Sequence, residues 1–179
     1  SEAIENRFDV NLEGIDYDAK FVFEAVGYNV EGSEIGAAFG LEQLKKLQKN
    51  ITTRKNNFKR QCSFFDKHRK YFSNPLETAN IDTAWLAFPI LINENAPFNR
   101  KEFQIYLEKR NIQTRVVFTG NIIRQPMMKG AKYKVSEGGY PNADAVMERG
   151  VLLPLHHGLK DSMFERLHAT INEFVESFN

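Results

Sequence analysis

EGSEIGAAFGLEQLKKLQKN, residues Glu31 to Asn50, decides how the rest of the chain is read. Ser33 with Glu34 behind it offers an N-cap and an acid for the positive end of a helix. From there Leu41, Leu44, Leu47, Ile51, Phe58, Cys62 and Phe65 recur at spacings of three, four or seven, which puts them on one helical stripe. The stripe predicts a helix from about Ser33 to about Tyr71, roughly 60 Å long at 1.5 Å per residue. Gly36 and Gly40, beside Ala37 and Ala38, give its first turns a face small enough for another backbone to approach.

Upstream of this helix, Phe8, Val10 and Leu12 alternate, a turn falls at Glu13-Gly14, and the apolar run resumes at Tyr17 and through Phe21 to Phe23. That is a hairpin pattern, and a lone hairpin is marginal in water. The reading is therefore that residues 1–32 end a larger domain and residues 33–179 form a small one. Downstream, TAWLAFPILI and TRVVF read as buried strands, and VLLPL as a short one. APFNRKEFQIYLEKRN is an amphipathic helix capped by Asn99, with Phe103, Tyr106 and Leu107 on its apolar side. GGYPNADAVMERG is a turn and short helix. KDSMFERLHATINEFVESF closes the chain as a helix with Met163, Phe164, Leu167, Ile171, Phe174 and Val175 inward. These elements lack the regular crossovers of a doubly wound sheet, so the fold class is α+β, an antiparallel sheet of three or four strands covered by helices.

Composition narrows the function. With 24 Lys and Arg against 23 Asp and Glu, the net charge is +1, and the chain as a whole is no polyanion binder. The single cysteine, Cys62, excludes an internal disulfide and a cysteine-rich metal site, and suits a reducing cytoplasm. No run approaches a membrane span, and the polar start does not read as a signal peptide. Residues 45–70 hold ten Lys or Arg and one acid, Asp66, interleaved with Phe58, Phe64 and Phe65. A nucleic-acid groove has that composition, but a helix with a basic outer face and a core-facing aromatic stripe explains it more simply. His156 and His157 are adjacent on an extended segment and point apart, so no metal site is expected.

What remains resembles half of a binding site. TRVVFTGNIIRQP, Thr114 to Pro126, runs a predicted strand into a loop with Gly120, Asn121, Arg124 and Pro126. Asn29 stands before the glycine-rich helix start. An amide beside a helix N-terminus and a guanidinium are both groups that hold anions. No nucleophile elbow or paired-carboxylate motif is present, so no catalytic residue is assigned.

GYNVEGSEIGAAFGLEQLKKL resembles the segment with which the DegT/DnrJ/StrS enzymes leave their large domain, a G-Y-N turn followed by A-A-x-G-x-x-Q-L-x-K-L. The likeness continues through RKNNF, FNRKEFQIYLEKRNIQTRVVF and LLPLHHGL. It implies the C-terminal small domain of a fold-type-I enzyme that uses PLP or PMP on nucleotide-linked 4-keto sugars, in the cytoplasm and as a homodimer. It further implies a cofactor held mainly by an upstream domain, whose lysine (aminotransferases) or histidine (dehydratases) lies outside these residues. These residues alone should then be inactive. GNIIRQP is similar to the G-N-x-x-R-Q-P loop of the nucleotide-sugar 3-dehydratases of deoxysugar and lipopolysaccharide biosynthesis, whereas sugar aminotransferases tend to carry P-L-H-x-Q-P. Here Ile123 stands in place of that histidine. By this resemblance Asn29 is expected at the cofactor phosphate of a neighbouring subunit, and Asn121 and Arg124 at the sugar nucleotide. A sugar aminotransferase and a non-catalytic anion- or nucleic-acid-binding domain are the alternatives. Neither membrane nor nucleic acid is expected as a partner of the enzyme.

Overall fold

The structure, a computed structural model, describes residues 10–12, 15–18, 22, 25–28, 30 and 32–178. Two compact units divide it, Ser1–Glu42 and Gln43–Asn179. In the first, β1 (Val10–Leu12) and β2 (Ile15–Tyr17) form an antiparallel hairpin with Val10 opposite Tyr17 and Leu12 opposite Ile15. Helix α1 runs from Glu34 to Phe65 and enters the second unit. Its 32 residues make about 48 Å of helix. It stops six residues short of the expected Tyr71, because Asp66–His68 tighten into a 3-10 turn. The turn leads the chain into β3 (Phe72–Ser73), where Tyr71 and Phe72 are buried.

The sheet of the second unit has three strands in the order β3-β4-β5, all antiparallel, with β4 spanning Phe88–Ile92 and β5 Gly150–Leu153. Strand β4 alternates, with Phe88, Ile90 and Ile92 fully buried and the residues between them less so, the period of a sheet with one face on the core. Helix α2 (Arg100–Glu108) starts from a complete capping box. The Asn99 side chain accepts from the Glu102 backbone N–H, and Glu102 accepts from that of Asn99. Helices α3 (Pro141–Arg149) and α4 (Asp161–Glu176) follow. Phe103 and Leu107 of α2, Phe174 and Ile171 of α4, and Phe58 and Phe65 of α1 meet over the sheet in one aromatic-rich core.

Four sequence expectations need correction. The third strand is Phe72–Ser73 and not TRVVF, which contributes only an isolated bridge between Arg115 and Leu152. Beyond that bridge the chain leaves the sheet. Phe118 turns into the left-handed region at φ 50°, and the residue is 92% exposed. The apolar stripe of α1 is buried only in its second half: Phe58 and Phe65 are core, while Leu41, Leu44 and Leu47 face outward. Met163 is exposed as well, at the start of α4, while Phe164, Leu167, Ile171, Phe174 and Val175 are buried. Strand β4 begins only at Phe88. Trp85, read as part of that strand, instead stacks flat on Phe58 with ring centres 4.8 Å apart.

Candidate functional site

The loop after the Arg115 bridge is held at both ends and in the middle. At its neck the Gln125 side-chain amide donates to the Thr119 carbonyl at 2.8 Å. At the turn, Gly120 sits at φ +62°, and a Cβ there would lie 2.5 Å from the Cβ of Met147 on α3. Glycine is required for both reasons, the left-handed backbone and the close approach. At the far end Pro126 opens a second 3-10 turn, Pro126–Met128, where its fixed φ suits a first helical position.

Between these anchors, Asn121 caps the 3-10 turn Ile122–Arg124, its Oδ1 accepting from the Ile123 N–H at 3.3 Å. Its side chain is buried, and its Nδ2 donates to Asp144 Oδ1 at 2.7 Å. Arg124 approaches the same carboxylate in a fork: Nε donates to Oδ1, and Nη2 donates to Oδ2 at 2.7 Å. This is the bidentate geometry in which an arginine is most directionally fixed. The Arg124 side chain is nevertheless 60% exposed, and its Nη1 has no hydrogen-bond partner among the described residues. The loop thus displays one outward edge of a guanidinium whose plane is set from behind.

Asp144 belongs to the first turn of α3, where the helix dipole also favours a carboxylate. The hydrogen bonds from Arg124, and after them the one from Asn121, hold its carboxyl well down, at about 2. The Asp144–Arg124 pair is therefore ionised throughout the neutral range. Arg100 of α2 donates to the Met147 carbonyl at 2.5 Å, which fixes α3 on the body of the domain.

Two of the three expected site residues, Asn121 and Arg124, are thus brought onto one carboxylate. The third, Asn29, lies outside the described residues. Asp144 was missed from sequence, where it sits in an unremarkable Pro-initiated helix. Its one legible signal is an acid in the first turn of a short helix, and nothing local ties it to a loop twenty residues upstream. The aromatic residues of the basic segment belong to the core: Phe58, Phe64 and Phe65 are all buried, so they offer no stacking platform to bases. Of its cations, Lys55 pairs with Asp82, Arg60 with Asp161 and Arg69 with Asp66. His156 accepts from the Gly158 N–H, and among the described residues no group of three or more His, Cys, Asp or Glu could hold a metal. Among the same residues no helix is long and apolar enough to cross a membrane.

The small α+β domain, its long leading helix and its clamped Gly-Asn-x-x-Arg-Gln-Pro loop can be set beside known proteins. Residues 2–172 match the DegT/DnrJ/EryC1/StrS aminotransferase family, and the chain belongs to it. Among curated relatives, it is 33% identical over 177 residues to a dTDP-4-dehydro-2,6-dideoxy-D-glucose 3-dehydratase of Saccharopolyspora spinosa, covering 94% of this chain and 37% of that protein. It is 32% identical over 162 residues to the lipopolysaccharide biosynthesis protein RfbH of Salmonella typhimurium, covering 90% of this chain and 36% of that protein. Among solved structures, a GDP-4-keto-6-deoxymannose-3-dehydratase with a trapped PLP-glutamate geminal diamine superposes with a TM-score of 0.73 at 29% identity, over 84% of this chain and 38% of that one. The chain therefore spans little more than a third of the length of these relatives.

Two similar solved structures of GDP-4-keto-6-deoxymannose-3-dehydratases hold PLP, one as a glutamate geminal diamine and one hydrated. A pyridoxal cofactor needs a wall against its ring, a cradle of donors around its phosphate and a base beside its reactive carbon. The described residues do not assemble that set. A cavity of about 300 Å³ between the end of α1 and α4 is lined by Lys67, His68, Lys70, Tyr71, Asn172, Val175 and Glu176, and a second of about 230 Å³ by mainly apolar groups including Met163 and Leu167. The clamped loop offers one exposed guanidinium, already paired with Asp144. By themselves these residues do not fit the cofactor.

Proposed function

We propose that this chain is the C-terminal part of a PLP- or PMP-dependent nucleotide-sugar 3-dehydratase, which removes the C3 hydroxyl of a nucleotide-linked 4-keto-6-deoxyhexose in deoxysugar or lipopolysaccharide biosynthesis. On this reading residues 1–32 close a large cofactor domain and residues 33–179 form the small domain. The cofactor is held mainly by residues outside this chain, with Asn29 reaching its phosphate in a neighbouring subunit of a cytoplasmic homodimer. Arg124 faces the sugar nucleotide, and Asn121, buried and bonded to Asp144 and Ile123, stands behind it in the same loop.

The observation that carries this reading is the loop itself. Its G-N-x-x-R-Q-P spelling is folded into a rigid turn that shows one guanidinium edge to solvent, which suits a diphosphate. Relatives named as 3-dehydratases of dTDP- and GDP-linked sugars support the reaction class. A second reading, a sugar aminotransferase, draws on a 30% identical dTDP-4-amino-4,6-dideoxy-D-glucose transaminase of Escherichia coli, matched over 80% of this chain and 38% of that protein. Two features of the chain favour the first reading: Ile123 stands where the aminotransferase histidine would be, and Arg124 follows it.

Product analysis separates the two. The full-length protein, supplied with cofactor, glutamate and a GDP- or dTDP-linked 4-keto-6-deoxyhexose, should give a sugar lacking the C3 hydroxyl by NMR. A 4-amino sugar with that hydroxyl retained would establish the aminotransferase instead. No change in either sugar would overturn both.

A further inference from the structure

We propose that Asp144 is the positioning residue of the substrate loop, acting on the sugar nucleotide through Arg124 and Asn121 and not by contact. The inference rests on the reading of the loop given above and adds a residue to it. Three geometric facts point the same way. One carboxylate receives three hydrogen bonds, from Arg124 Nε, Arg124 Nη2 and Asn121 Nδ2, so a single side chain fixes both residues. The fork uses the Nε–Nη2 edge of the guanidinium and leaves Nη1 with no hydrogen-bond partner among the described residues, on a side chain that is 60% exposed. The carboxylate itself stands on α3, a regular element locked to the domain body by the Arg100 bond to the Met147 carbonyl, and the loop is seated on the same residue where Gly120 meets Met147.

The arrangement has two opposing effects on an anionic ligand. Asp144 neutralises the net charge of Arg124, which weakens long-range attraction. It also removes the torsional freedom that an exposed arginine would lose on binding. Immobilising a long side chain costs roughly 0.5–1.5 kcal/mol, so preorganisation strengthens binding by about two- to tenfold. At physiological ionic strength that loss of long-range attraction is largely screened beyond about 8 Å. Preorganisation therefore wins, and Asp144 tightens nucleotide binding despite its charge.

The test is calorimetric titration of the full-length protein with GDP and with dTDP, which needs no turnover, followed by steady-state kinetics. Asp144→Asn is nearly isosteric and keeps an acceptor for Asn121; Asp144→Glu keeps the charge and displaces it. Asp144→Asn should weaken diphosphate binding by about three- to tenfold, with the kinetic loss in KM more than in kcat. Asp144→Glu should recover part of it. In an Arg124→Ala background, Asp144→Asn should add nothing, because its effect passes through the arginine. Unchanged or tighter binding by Asp144→Asn would overturn the inference, as would full additivity with Arg124→Ala. If Arg124→Ala alone leaves diphosphate affinity unchanged, the loop is not a substrate contact, and the reading falls together with the inference.

Discussion

Replacing Gly120 with alanine tests whether the loop is held by α3 as tightly as its geometry requires. An added Cβ would stand 2.5 Å from Met147 Cβ and Cγ and 2.8 Å from Met147 Cα. Met147 Cγ can swing aside by a rotamer change, but Cβ is fixed to the helix backbone and Cα belongs to it, so neither can move without shifting α3. The backbone at φ +62° adds a second, separate penalty. Left-handed geometry costs a non-glycine residue about 1–2 kcal/mol, and overpacking a close contact about 1–3 kcal/mol. Gly120→Ala should therefore destabilise the chain by about 2–5 kcal/mol in urea unfolding, or release the loop from α3 with raised amide exchange at Asn121 to Arg124. Gly139 supplies the control. It has a similar φ of +65° but nothing within 4 Å of its added Cβ, so Gly139→Ala carries the backbone penalty alone. Equal losses for the two substitutions, with unchanged exchange in the loop, would refute the close-contact argument.

Other expectations follow from single observations. Asn99→Ala removes the cap of α2 and its capping box, and should cost about 1 kcal/mol in the same unfolding assay. His168 is stacked on Phe64 at 3.8 Å with its Nε2 2.8 Å from Gln61 Oε1, and burial first, then the cations Arg60, Lys67 and His68, push it down to about 4. Its folded value lies below the ordinary 6.5, so the unfolded chain binds the proton first. Stability should fall as pH drops from about 6.5 towards 4, by on the order of 1–3 kcal/mol after allowing for partial screening, and His168→Gln should flatten that slope. In the full-length protein, Asn29→Ala should loosen cofactor retention on dialysis while leaving nucleotide affinity nearly alone.

Much of the second unit was legible because its helices carry strong local signals. Asn99 with Glu102 marks α2, and the apolar positions of α4 repeat at helical spacing. The residues of the candidate loop were legible, and their arrangement was not. Val116, Val117 and Phe118 have the composition of a buried strand, yet only Arg115 pairs with the sheet and Phe118 turns outward. Composition reports what a residue would prefer to pack against, and here Val116 and Phe118 stand exposed. Leu41, Leu44 and Leu47 mislead in the same way. Strand β3 escaped notice because two residues, one of them Ser73, carry no periodicity. Asp144 escaped because its role depends on a tertiary pairing that no short-range pattern encodes.

The central claim, that the Gly120–Pro126 loop addresses a sugar nucleotide, is tested most directly by Arg124→Ala in the full-length enzyme. A charged hydrogen bond to a diphosphate is worth roughly 1.5–3 kcal/mol. The account predicts that KM for the 4-keto sugar nucleotide rises by about ten- to a hundredfold with cofactor content unchanged. Wild-type kinetics in that variant would show the loop to be a surface turn and contradict the account.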